Sequence, residues 1–146
     1  MASEIVNRSE IPAWDCYQLI DEHRIGRLVI IEHGYPVAIP VSYRLVGTTS
    51  DRRIVVRTAP NTTMAQYEGR ASLEIDQIDE GDKTAWSVTA RGNLHRLHGD
   101  EMFPDPQPWL IEGRQHWLAL DVVAVSGRRF VARPTGDGVG FQWRFE

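Results

Sequence analysis

The segment RTAPNTT, which begins at Arg57, combines the groups that could hold a phosphate. Arg57 and Thr58 end a predicted strand, and Thr62 and Thr63 lie in the first turn of a predicted short helix. Such a turn leaves backbone N–H groups without partners and carries the positive end of the helix dipole. Guanidinium, hydroxyl and amide donors together predict a phosphate site. The alternative is an ordinary helix cap at Asn61 beside a solvated arginine.

Two further segments could contact the flat ring of a ligand. Trp86 offers an apolar face, and the hydroxyl of Ser87 could bond to the edge of the ring. Pro40 cannot donate to a β-ladder, so it predicts a bulge or an edge at which Val41 and Ser42 could meet a ligand. The alternatives are a tryptophan packed in the core and an ordinary edge strand.

Other chemistry-bearing residues form weaker patterns. His95 and His98 are three apart on a predicted strand and point to opposite faces, so we expect no metal site there. Cys16 lies in an amphipathic segment and is expected to pack. The sequence contains neither a glycine-rich nucleotide loop nor a nucleophile elbow. We therefore name no catalytic acid or base, and Tyr43 and Arg91 are candidates only for substrate contact.

The composition limits the classes of function. A chain of 146 residues with a net charge of −4 predicts a single domain that does not act on nucleic acid. It has no apolar run long enough to span a membrane and no recognisable secretory signal, so we expect no membrane partner. One cysteine allows no internal disulfide, which suits a cytoplasmic protein.

The apolar pattern predicts the elements that must position these residues. A loose lead-in over residues 1–8 precedes a helix that Ser9 would cap and Gly26 would end. A second short helix is expected over 62–68. Alternation predicts strands over 27–31, 37–46, 54–58, 71–79, 84–97, 116–125 and 128–133.

Glycine and proline mark the connections. Gly92 predicts a bulge, and Ser126-Gly127 predicts a hairpin between the last two strands. Three prolines between residues 99 and 114 exclude one regular helix there. The tail over 134–146 carries Trp143 and Arg144, which could reach a ligand or simply pack. Strands without crossover helices predict an antiparallel barrel or sandwich.

The ordered segments RIGRL, GYPVAIPVSY, IVVRTAP, LEID and AWSVTARG carry a family resemblance. Together they resemble the pyridoxamine 5′-phosphate oxidase-like family of FMN-binding split β-barrels, in its small bacterial branch. The resemblance covers about residues 9–98. It implies one antiparallel split barrel over 1–146, mainly β, with about six to seven strands and two or three short helices.

The resemblance also implies a function and a set of contacts. It implies an FMN-dependent oxidoreductase that transfers two electrons to or from an unknown small-molecule substrate, with FMN at the interface of a homodimer. Val41 and Ser42 would approach the flavin ring, and Trp86 and Ser87 would line it, in one arrangement from the partner chain. The phosphate would be held by Arg57, Thr58, Thr62 and Thr63.

One position departs from the family pattern. Many relatives carry a lysine near the start of the short helix, where this chain has Thr63. A charge-assisted contact is worth about 1.5–3 kcal/mol, so its loss could weaken FMN binding by roughly one to two decades. This leaves two alternatives on the same scaffold, a deazaflavin-dependent reductase and a non-catalytic module that binds flavin or haem.

Overall fold

The computed structural model describes residues 4–59, 62–98 and 116–134. They form seven strands, one α-helix and one 3-10 turn, which confirms the predicted mainly β, antiparallel fold. The helix α1 spans Ala13–Glu22 and the 3-10 turn spans Met64–Gln66. The strands are β1 Glu4–Glu10, β2 Ile25–Glu32, β3 Tyr35–Thr48, β4 Asp51–Thr58, β5 Gly69–Asp79, β6 Thr84–Arg96 and β7 His116–Pro134.

Six of the strands close into a barrel. Their order is β7-β4-β3-β2-β5-β6, and β6 pairs again with β7 to complete the ring. All these pairs are antiparallel, as short hairpin connections require. The long strand β7 makes closure possible because it pairs with β4 near its start and with β6 along most of its length.

The core fills the barrel, and α1 packs against it. Cys16 and Ile20 of the helix are fully buried among apolar side chains from the barrel strands. Burial raises the pKa of the Cys16 thiol, so it stays protonated and packs as predicted. No helix in the described ranges is long and apolar enough to cross a membrane.

β7 is one continuous strand, so the predicted hairpin at Ser126-Gly127 was wrong. Gly127 allows close packing rather than forming a turn. A Cβ at this position would lie 2.9 Å from the sulfur of Cys16 and 3.1 Å from side-chain atoms of Ile11 and Val88. The glycine therefore lets the start of α1 approach the strand.

The N-terminal segment also differs from expectation. Residues 4–10 form β1, which pairs with residues 128–134 of β7, so a loose lead-in over 1–8 was wrong for residues 4–8. Ser9 lies in this strand, and α1 begins after Pro12 without a side-chain cap. The reason is tertiary, because β4 leaves the end of β7 without a partner on that side and β1 supplies the missing hydrogen bonds.

The predicted bulge at Gly92 is confirmed. The register between β6 and β7 shifts between Arg91 and Gly92, and Val123 of β7 is the extra residue. The two backbones approach closely here, since a Cβ on Gly92 would collide with the carbonyl group of Asp121. Only glycine fits without moving one of the strands.

We therefore expect Gly92→Ala to lower the free energy of unfolding by about 2 kcal/mol or more, because the methyl group would push β6 from β7. Urea denaturation of both proteins measures the change. Gly81→Ala is the matched control, since a Cβ there meets only a side-chain oxygen of Asp79 at 3.3 Å in an exposed turn. Equal losses in the two variants would contradict the close approach.

Candidate functional site

β3 has an open edge over residues 35–42. Its ladder with β2 runs without interruption through Pro36 and Pro40, whereas its ladder with β4 begins only at Tyr43. No other strand in the described residues pairs with the open side. Pro40 thus sits at an edge, which confirms one of the two predicted outcomes.

The orientation of the backbone at this edge follows from one hydrogen bond. The N–H of Tyr43 donates to the carbonyl oxygen of Arg24 at 2.8 Å, on the β2 side. Because backbone groups alternate along a strand, those of Ala38 and Ser42 point to the open side. This edge therefore presents N–H and C=O groups that can bond to the edge of a planar ring.

The predicted ring contacts on β3 separate by face. Val41 is buried in the core, so its side chain is not available to a ligand. The half-buried side chain of Ser42 points to the outer face of the barrel.

The threonines of the predicted phosphate site bond to the protein itself. Thr62 donates its hydroxyl proton to the carbonyl oxygen of Ala59 at 2.9 Å and accepts the N–H of Ala65 at 3.2 Å. The Thr58 hydroxyl lies 2.9 Å from that of Thr62 and must then be the donor between them. Neither hydroxyl proton is left for a phosphate.

Thr63 faces an acidic group. Its hydroxyl donates to a carboxylate oxygen of Glu32 at 3.3 Å. The short helix expected over 62–68 was wrong, because only the 3-10 turn Met64–Gln66 forms and its dipole is correspondingly small. Pro60 and Asn61 lie outside the described residues.

Arg57 and Thr58 point to opposite faces of β4. Thr58 is 7% exposed and faces inward, so its neighbour in the strand faces outward. The guanidinium carbon of Arg57 lies 5.3 Å from the ring centroid of Trp117, a partner that the sequence patterns did not identify. Arg57 lies one position beyond the Tyr43–Val56 pair, on the same face as Ser42. The structure thus brings Arg57 to Ser42 and separates it from the threonines.

Trp86 is half-buried and lines a pocket with Gln77 and Arg129. Its ring N–H donates to Gln77 at 3.3 Å, and the ring of His23 meets it edge-on at 5.1 Å. Ser87 points outward from β6, opposite Asp76.

The predicted ring wall and the predicted phosphate site lie far apart in one chain. Ser87 pairs with Asp76, which is seven residues along β5 from Gly69, near the 3-10 turn. At roughly 3.3 Å per residue this separation is about 23 Å. Ser87 and the 3-10 turn therefore lie toward opposite ends of β5.

The two proposed substrate contacts have different outcomes. Tyr43 is fully buried, and its hydroxyl donates to the carbonyl oxygen of Ile20 at 2.7 Å. Burial raises its pKa, and a substrate contact through this side chain was wrong. Arg91 is exposed on the outer face of β6.

A charged cluster lies on the outer face of β2 and β5. The Arg27 guanidinium contacts Glu74 at 3.0 Å and Asp76 at 2.7 Å. Burial and the neighbouring Asp76 raise the pKa of Glu74 to about 7, although Arg27 acts in the opposite direction. One guanidinium therefore does not fully compensate two adjacent carboxylates.

This cluster should make stability depend on pH. Folding raises the pKa of Glu74 from 4.5 to about 7, so the folded chain holds this proton more tightly than the unfolded chain. The stabilisation is present below pH 4.5 and is lost as the pH rises through 7.

The free energy of unfolding of the wild-type protein should fall between pH 5 and pH 8. In Glu74→Gln we expect this fall to be smaller by about 1–3 kcal/mol. Urea denaturation at several pH values measures it. Glu80→Gln, in the exposed turn after β5, is the control and should leave the pH profile as it is. An unchanged profile in Glu74→Gln would show that this carboxyl is not the titrating group.

Comparison with known proteins adds to this geometry. The sequence matches the family described as pyridoxamine 5′-phosphate oxidase over residues 12–129. A search of curated proteins finds no match.

Several solved structures are similar. A conserved protein of unknown function from Corynebacterium diphtheriae is 24% identical, with a TM-score of 0.69, and the match covers 85% of this chain and 98% of that one. An FAD-binding protein from Mycobacterium smegmatis is 21% identical, with a TM-score of 0.66 and coverage of 85% and 99%. An FAD- and haem-binding protein from the same organism is 12% identical, with a TM-score of 0.58 and coverage of 94% and 88%. At these identities the likeness establishes a shared fold.

Proposed function

Because this chain belongs to the pyridoxamine 5′-phosphate oxidase family, we propose that it binds FMN and supports two-electron transfer with a small molecule. Two of the structural neighbours are described as binding FAD, and one of these also as binding haem. A cytoplasmic setting, in which the single cysteine stays a thiol, completes the proposal.

The open edge of β3 beside Arg57 is the observation that carries this proposal. Ala38 and Ser42 present both donors and acceptors along one line. The pyrimidine edge of a flavin carries two carbonyl oxygens and one N–H, which can bond to backbone groups of this kind. Arg57 lies on the next strand and supplies a positive charge for the phosphate.

The residues fit the ring end of FMN better than its phosphate end. Three threonine hydroxyl protons are donated within the protein, and Glu32 adds a negative charge beside Thr63. We therefore expect FMN affinity to be modest.

The roles of the residues follow from this arrangement. The backbone of Ala38 and Ser42 would orient the ring, and Arg57 would hold the phosphate. The flavin would supply the hydride chemistry when bound. The protein would position the substrate against it and keep water away.

The test is a titration of the purified protein with FMN and with riboflavin, followed by absorbance and fluorescence. Arg57→Gln should weaken FMN binding by about tenfold or more, because it removes a charge-assisted contact of about 1.5–3 kcal/mol. Riboflavin, which has no phosphate, should bind both proteins equally.

Two controls sharpen this titration. Arg52→Gln removes an arginine near the other end of β4, where its guanidinium lies 3.8 Å from the ring centroid of Tyr17, and should leave FMN affinity unchanged. Glu32→Gln removes the carboxylate bonded to Thr63, so stronger FMN binding in this variant would place the phosphate at the threonines and not at Arg57. A wild-type protein that binds neither flavin would overturn the proposal.

A homodimer is part of the proposed function, because Arg57 pairs with Trp117 at the start of β7 whereas Ser87 pairs with Arg128 toward its end. A partner chain could bring its own Ser87 to the open edge of β3. Two side chains near that edge, Ile25 (45% exposed) and Tyr35 (74% exposed), would become buried in the dimer. We expect sedimentation velocity at micromolar concentration to give twice the 16.6 kDa chain mass. A monomer that nevertheless binds FMN would refute this arrangement.

A deazaflavin is the second candidate ligand. It is favoured by the acidic Glu32 and by Thr63 in place of a lysine, which together weaken the FMN phosphate site. Parallel titrations would decide, since tight FMN binding without deazaflavin binding removes this candidate.

A further inference from the structure

A groove on the outer face of the barrel lies outside the proposed flavin site. It has a volume of about 550 Å³, within the range of small-ligand sites. Strands β2, β5, β6 and β7 contribute its lining. The residues that matter here are Ile31, Arg70, Ser72, Arg91, Asn93 and Val123.

Two arginines give the groove its charge. Arg70 pairs across the ladder with Asn93, and Arg91 pairs with Ser72, so the two arginines lie on a diagonal. Diagonal positions in an antiparallel pair are about 7–8 Å apart, close enough to share one anion. Neither guanidinium has a hydrogen bond or an ion pair with the described residues.

Two nearby carboxylates contact other basic side chains. Glu74, two residues beyond Ser72, is bound to Arg27. Asp121 contacts Arg53 and His95 at 2.9 Å each. Neither Arg70 nor Arg91 has a carboxylate partner among the described residues, although the net charge of the chain is −4.

The walls of the groove are apolar. Ile31 on β2 is 50% exposed and Val123 on β7 is 73% exposed. Val123 is the extra residue of the bulge opposite Arg91 and Gly92, and bulges commonly redirect a side chain in this way. The apolar side chains therefore flank the guanidinium pair.

We propose that this groove binds a small amphipathic organic anion. Its carboxylate or phosphate lies between Arg70 and Arg91, with Ser72 and Asn93 offering further hydrogen bonds. Its apolar body lies against Ile31 or Val123. A guanidinium pair suits such a head group because it offers several donors in fixed directions.

Calorimetric titration of the full-length protein tests this, with octanoate, octyl phosphate, 1-octanol and inorganic phosphate as probes. We expect one saturable site per chain for octanoate or octyl phosphate, and the tighter of the two identifies the head group. 1-Octanol and inorganic phosphate should each bind at least about tenfold more weakly. The proposal is wrong if 1-octanol or inorganic phosphate binds as tightly as the amphipathic anions.

Variants assign the site. Arg70→Gln and Arg91→Gln should each weaken binding of the anion by at least about tenfold, and Val123→Asp should abolish it. Arg52→Gln is the matched control and should change the dissociation constant by less than about twofold. Undiminished binding in both Arg70→Gln and Arg91→Gln would overturn the proposal.

Two further readouts separate this site from the others. FMN binding, followed by absorbance, should be the same in all these variants, so a failure of the proposed function leaves this test valid. Sedimentation velocity tests the alternative that a second copy of the chain occupies the groove. If Val123→Asp converts a dimer into a monomer, the groove holds a second copy of the chain and the proposal is wrong.

Discussion

The separation of β3 from β4 at Tyr43 is the constraint on which the proposed flavin site depends. Tyr43 is held on the β2 side by its N–H bond to Arg24 and beneath α1 by its hydroxyl bond to Ile20. A buried hydroxyl left without a partner would cost about 1–3 kcal/mol. The helix end and the strand thus stay together while the first half of β3 keeps an open edge.

Side-chain alternation divides the sequence segments that suggested chemistry. Neighbouring residues on a strand face opposite sides, so Arg57 parts from Thr58 and Trp86 from Ser87. The outer face then collects the polar members of each pair. Glu74 and Asp121 pair with other basic side chains there, and Arg70 and Arg91 have no acidic partners among the described residues.

Local patterns predicted the central part of the fold well. Alternating apolar residues located β2 to β6, and Gly92 marked the bulge, because these signals act over a few residues. The failures share a cause. Ser126-Gly127 and the residues of β1 have local patterns that suit a turn and a loose end. Their structures are set by contacts with α1 and β7, which are distant in sequence.

From its order of residues alone, this chain is identifiable as an antiparallel barrel with a proline-marked edge and a cluster of candidate anion ligands. Periodicity and turn chemistry suffice for that, since they depend on neighbours in sequence. Whether a candidate ligand is available depended on the folded chain. A phosphate could accept the hydroxyl protons of Thr58, Thr62 and Thr63. In the folded chain these protons are donated instead to Thr62, to the carbonyl oxygen of Ala59 and to Glu32, respectively. A hydroxyl group has one proton to donate, and only three-dimensional proximity decides which acceptor receives it.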